Sequence, residues 1–171
     1  MGGCSINAGK DFTEFCDATY ANVVSALAGM CGDGLIAEEL AQEAFARAYA
    51  RWRHVQAMDN PAGWVFIVGA NMGRSRIRRI KVERRALQRY GSREMAESAA
   101  ADEVGIDGAL VRVLHTLSDR HRRILIMRFV LDMSVSDVAT DMKMSDEAVR
   151  AMTSRALTKV RQQYPVQEAS Q

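Results

Sequence analysis

Apolar residues recur along this chain at the three- and four-residue steps of an α-helix rather than the two-residue step of a strand. Phe12, Phe15, Tyr20, Val23, Val24 and Leu27 predict a first helix over residues 11–32, interrupted by Gly32 and Gly34 around Asp33. Ala37, Leu40, Ala41, Ala44, Phe45, Ala48, Tyr49 and Trp52 form one continuous stripe, which predicts a second helix ending near Trp52. Asn60-Pro61 sets an N-cap residue before proline at the first helical position. A third helix follows through Trp64, Ile67, Val68 and Asn71. Residues 90–106 carry no sustained stripe and read as a tether. The pattern resumes near Gly108 with Leu110, Val113, Leu114 and Leu117, and again after Ser118 with Ile124, Leu125, Met127, Phe129 and Val130.

The C-terminal pattern is more specific. Ser134-Val135-Ser136-Asp137 has the form of a capping box, with Ser134 capping and Asp137 reaching back. A short helix over 135–142 would bury Val138, Ala139 and Met142, and Lys143-Met144 would make a turn. Ser145 would then cap a second helix, with Asp146 and Glu147 at its positive end. That helix sets Val149, Met152, Thr153, Ala156 and Val160 on one face and leaves Arg150, Ser154, Arg155, Lys159 and Arg161 outward. Two helices joined by so short a turn suit a helix-turn-helix whose second member enters the major groove. On spacing alone, a helical hairpin with a solvated charged face fits as well.

Composition supports an all-α chain, with 2 prolines, 6% aromatic residues and 48% hydrophobic residues among 171. No stretch approaches the ~20 apolar residues of a membrane span. The first ten residues hold Lys10 but no apolar core, so no secretory signal is expected and the cytoplasm is the expected compartment. Cys4, Cys16 and Cys31 are odd in number and widely spaced, and are best read as small neutral residues in a reducing compartment. His54, His115 and His121 join no acid–base or nucleophile constellation. No catalytic residue, metal site or cofactor is therefore assigned. Charge informs only when divided. Residues 1–60 are net −4, residues 74–89 are net +7, residues 90–110 are net −4 and residues 111–171 are net +3. The overall +2 thus hides a basic block of the kind nucleic acid selects.

Four segments carry a family resemblance. Residues 37–49, AEELAQEAFARAY, resemble the region 2.2 helix of the extracytoplasmic-function (group 4) sigma factors of bacterial RNA polymerase. Residues 61–71, PAGWVFIVGAN, resemble their region 2.3, and the basic run Arg74–Arg79 follows in the matching place. Residues 117–129, LSDRHRRILIMRF, are similar to the opening of region 4, and residues 138–139 and 145–161 to its helix-turn-helix. Together the segments touch about residues 11–81 and 108–162, in the family's order. Departures are Glu39 for the usual aspartate, a smaller Ala41, Ser75 for a frequent acid, and Met152 and Leu157 where arginines are common. No third domain follows Arg161, as in the short class.

The resemblance implies two small helical domains joined by a linker, the C-terminal one bearing the helix-turn-helix. Expected boundaries are an extension at 1–10, region 2 at 11–81, a linker at 82–107, region 4 at 108–163 and a tail at 164–171. It implies docking on core RNA polymerase through Glu38, Glu39, Leu40, Gln42, Glu43 and Arg47, an acidic and amide-bearing face suited to a basic helix. Without the resemblance, that face reads better as a solvated helix front with a Glu43–Arg47 pair. Asn71, Arg74, Ser75, Arg78 and Arg79 would contact the minus-ten element during strand opening, while Trp64 reads as core. Asn71 either bonds a base or ties two helices. Ser145, Glu147, Arg150, Ser154, Arg155 and Lys159 would address the minus-thirty-five duplex. Expected partners are core polymerase and promoter DNA, with an anti-sigma factor as a further candidate and no membrane insertion. Two rivals stay open here: a stand-alone helix-turn-helix regulator, and a sigma mimic that titrates anti-sigma factors, against which the +7 block argues.

Overall fold

The computed structural model describes residues 5–74 and 108–164, with side chains from residue 11 onward. Among these residues every regular element is helical. The N-terminal half holds α1 (Ser5–Cys31), α2 (Gly34–Ala50), the single turn α3 (Trp52–Val55) and α4, described over 61–74. The C-terminal half holds α5 (Gly108–Thr116), α6 (Asp119–Phe129), α7 (Val135–Met142) and α8 (Asp146–Gln163). The linker expected at 82–107 lies outside the described residues, as do most of the basic block and the tail beyond 164.

Helix ends follow the local chemistry. α1 begins at Ser5, before the apolar pattern starts, and ends where Gly32 takes φ +74° and its N–H donates to Ala28 O at 2.7 Å. Asp33 Oδ1 then caps α2 by accepting from Ile36 N at 3.1 Å. Asn60 Oδ1 caps α4 by accepting from Gly63 N at 2.7 Å, with Pro61 at the first helical position. Ser118, Ser134 and Ser145 cap α6, α7 and α8.

The α2 stripe buries Ala37, Leu40, Ala41, Ala44, Phe45 and Ala48 against α1 and α4, whose Val23, Leu27, Val65 and Phe66 are fully enclosed. Phe12 and Phe15 of α1 close the far end around Trp52, with ring centroids 5.1 and 5.0 Å away. Tyr49 departs from the expected stripe. It is 60% exposed and rests only one face on Phe12, 5.0 Å away, because α2 runs out of partner helix there. Trp64 is half-buried against the core, as its reading as a packing residue requires.

The larger core is continuous between the halves. It includes Ile124, Ile126, Met127, Leu131, Met133, Val138 and Val149 beside the residues of α1, α2 and α4. A smaller cluster of Leu114, Leu117, Leu125 and Ala156 belongs to the C-terminal half alone. Phe129 and Val130, part of the apolar run that predicted α6, are exposed because the helix ends beneath them and the chain turns away. Inside α6, Arg122 and Arg123 are 2% and 6% exposed, which apolar periodicity alone does not announce.

Candidate nucleic-acid interface

The helix-turn-helix forms as its sequence dictates. α7 occupies residues 135–142, and Lys143 closes it in the left-handed region at φ +53°. Met144 N donates to Ala139 O at 2.9 Å, completing the turn. The cap at Ser134 differs in one detail from a capping box. Ser134 Oγ accepts from Asp137 N at 3.0 Å and itself donates to Asp137 Oδ2 at 2.6 Å. Asp137 thus takes the serine hydroxyl rather than the backbone N–H of Ser134, because its side chain is one carbon shorter than the glutamate of the full motif.

α8 turns Val149 and Ala156 into the interior and half-buries Met152, Thr153 and Val160. Ser145, Glu147, Arg150, Ser154, Arg155 and Lys159 are all exposed. Arg150 Nη2 lies 3.7 Å from Asp146 Oδ2, a loose pair that leaves both side chains accessible to solvent. Arg155 and Lys159, four residues apart, share a flank with His121 of α6. That imidazole sits 2.7 Å from Ser118 Oγ, and its pKa is lowered by burial first and then by the two cations. The flank is therefore an electropositive shelf beside the exposed row of α8, with the chemistry to hold a phosphate.

On the opposite half, Glu38, Glu39, Gln42, Glu43 and Arg47 are exposed together on α2. Arg47 Nε donates to Glu43 Oε1 at 3.0 Å. Leu40 does not belong to this face. At 6% exposure it points into the core, since it lies on the apolar stripe, and it supports the acidic row from behind.

Asn71 and Arg74 are exposed near the C-terminal end of the described part of α4. Ser75, Arg78 and Arg79 lie outside the described residues. Asn71 Oδ1 accepts from Arg123 Nη1 at 3.3 Å, so its amide ties two helices in this arrangement. Arg123 Nη2 also donates to Asp141 Oδ2 at 2.8 Å. The sequence reading missed this role of Arg123 and the equivalent one of Arg122. The available signal was their place directly before Ile124-Leu125-Ile126-Met127, within a helix buried around most of its circumference. Among the described residues no group of three or more His, Cys, Asp or Glu is placed to hold a metal, and no helix is long and apolar enough to cross a membrane.

Two family models match the chain: sigma-70 region 2 over residues 17–83 and sigma-70 region 4 over residues 113–162. A comparison with curated proteins gives no match. Among solved structures, the chain is similar to the sigma factor RpoE from Bartonella quintana, in a co-crystal structure with the anti-sigma factor NepR. The TM-score is 0.69 at 19% identity, covering 92% of this chain and 99% of that one. At that identity the likeness speaks for the fold.

Proposed function

The chain belongs to the sigma-70 family and acts in promoter recognition and transcription initiation, binding core RNA polymerase and promoter DNA, and we propose how it divides that work among its surfaces. The exposed basic row of α8, mounted on a capped turn, carries the reading most directly. In it, Arg150 and Ser154 face base edges of the minus-thirty-five duplex, while Arg155 and Lys159 hold phosphate, with Ser145 and Glu147 at the helix start. Asn71 and Arg74, continued by Ser75, Arg78 and Arg79, grip the minus-ten strand as it opens. Glu38, Glu39, Gln42, Glu43 and Arg47 dock on a basic helix of core polymerase.

In this reading the working units are residues 11–81 and 108–163, and no step of the chemistry belongs to this chain, since polymerase forms the phosphodiester bond. Its place is the cytoplasm, beside the polymerase. An anti-sigma factor is a natural partner, because the structurally similar RpoE is held by one. Core-polymerase capture followed by run-off transcription tests the assignment. Glu39→Lys with Glu43→Lys should lose capture while circular dichroism stays unchanged. A stand-alone regulator would instead bind promoter duplex tightly without core, and capture that survives the charge reversal would move the docking face elsewhere.

A further inference from the structure

The electropositive shelf beside α8 is assembled from two helices that the smaller C-terminal core holds together. Ala156 of α8 is fully buried and packs with Leu114, Leu117 and Leu125. His121 lies four residues before Leu125 on the same face of α6, which sets its ring at the edge of that cluster, against α8. Arg155 and Lys159 lie beside Ala156, are exposed, and are the α8 cations that bear on the ring. Thr116 Oγ1 donates to Gln163 Oε1 at 2.7 Å, which ties the α5–α6 turn to the end of α8 and fixes the spacing.

We propose that His121 is the third, proton-gated member of a DNA-phosphate site with Arg155 and Lys159, so that the minus-thirty-five duplex is held more tightly as pH falls. The inference rests on the functional reading above, in which α8 enters the groove and those two cations hold phosphate. The imidazole is already oriented for this. Its Nδ1 lies 2.7 Å from Ser118 Oγ, and the same oxygen accepts from His121 N at 3.4 Å as it caps α6. Once protonated, the ring has two N–H donors: Nδ1–H donates to Ser118 Oγ, and Nε2–H is left for a phosphate oxygen.

The charges around the ring make the proton conditional on the anion. The α8 groups that face it, Lys159 and Arg155, are both cations. On its own helix Arg120 adds another exposed cation, while the Asp119 carboxylate receives Arg122 Nη2 at 2.7 Å. Burial first, and then Lys159 and Arg155, hold the His121 pKa below the ordinary 6.5, so in the free protein the ring is neutral at pH 7. A backbone phosphate between the three side chains opposes that repulsion and raises the pKa. The phosphodiester keeps its own charge throughout, so the imidazole supplies the pH dependence. The gain in affinity therefore sets in as pH falls through the raised, DNA-bound value. It is complete below the free value, which lies under 6.5, and it is lost above the bound one. One proton taken up allows at most about tenfold per pH unit.

Fluorescence anisotropy of the reconstituted holoenzyme on a labelled promoter duplex, followed from pH 8 to pH 5.5, tests this. His121→Gln keeps a neutral hydrogen-bonding side chain and removes the titration, and any pH dependence of polymerase itself cancels in the comparison. The ratio of wild-type to His121→Gln affinity should grow several-fold toward the acid end. There the salt dependence of the wild type should be steeper by about one unit of slope. His121→Arg, a permanent cation, should bind at pH 8 several-fold more tightly than wild type. Helicity by circular dichroism over the same range separates a lost contact from a lost fold. A ratio that stays flat across the range overturns the proposal, and so does His121→Arg binding no tighter than wild type at pH 8. Arg155→Ala and Lys159→Ala should weaken binding at every pH. If neither does, the functional reading of α8 fails; if both do while the His121 ratio stays flat, only the proton-gated member is lost.

Discussion

The two halves treat charge differently. From residue 11 to 74 every Arg and Glu is exposed, and the core is alanine, valine, leucine and tilted aromatic rings. The C-terminal half, with as many helices but a thinner apolar cluster of its own, carries two arginines inside α6. A core that closes on apolar groups alone needs no buried cation. From Arg122 to Met127, α6 is enclosed between its own partners and α1 and α4, so a long charged residue there does not reach water, whereas Arg120 in the first turn does. Burial there is costly, and it lowers the pKa of Arg122 even with Asp119 opposing the shift. The cost is met by hydrogen bonds, two of which cross between the halves.

Truncation should expose this contrast most strongly in the apolar half. Phe66 is fully enclosed, so Phe66→Ala should cost about 3–5 kcal/mol in denaturant unfolding. Phe129→Ala, at an exposed ring, should stay within about 0.5 kcal/mol. Equal losses would mean that the C-terminal half has a cover for Phe129.

Removing a buried cation should come next. Arg123→Ala leaves Asp141, 13% exposed, without its partner, and should cost about 3 kcal/mol. A loss under 1 kcal/mol would show that water already reaches the pair and would erase the contrast between the halves.

The seam between them can be read through a thiol. Burial, the largest influence, together with Asp33 outweighs Arg122 and two backbone hydrogen bonds to push the Cys31 pKa from 9.0 to about 11. The folded state therefore favours the protonated thiol. Its contribution to stability is complete below pH 9 and is lost as pH rises toward 11. At pH 8 the folded protein should alkylate at Cys31 about a hundredfold more slowly than the unfolded chain, as site-resolved mass spectrometry would measure. A rate matching the unfolded chain would show that the end of α1 is open to solvent.

The smallest effect belongs to the surface pair of α2. Glu43 and Arg47 are both more than half exposed, so a double-mutant cycle should return roughly 0.2–0.5 kcal/mol, fading in high salt. A larger coupling would mean that the acidic face is stiffer than an open helix front.

Much of the architecture is local and was therefore legible in the chain. The stripe from Ala37 to Ala48, the Asn60-Pro61 start and the serine caps at 118, 134 and 145 depend on neighbours within one helical turn. The outward row of α8 follows from helical rotation once Val149 and Ala156 are buried. Tertiary structure alone decided what depends on residues far along the chain. Tyr49 left the apolar stripe expected of it while Leu40 kept its place there, because burial is set by which helix lies opposite, not by hydrophobicity. Arg122 and Arg123 look like surface cations in sequence and became interior ones because acceptors from three other helices converge on α6. Asn71 could bond a base or tie two helices, and the partner it found stands 52 residues away. Helical periodicity records a residue's own turn, and it carries no information about the arm that reaches across from another domain.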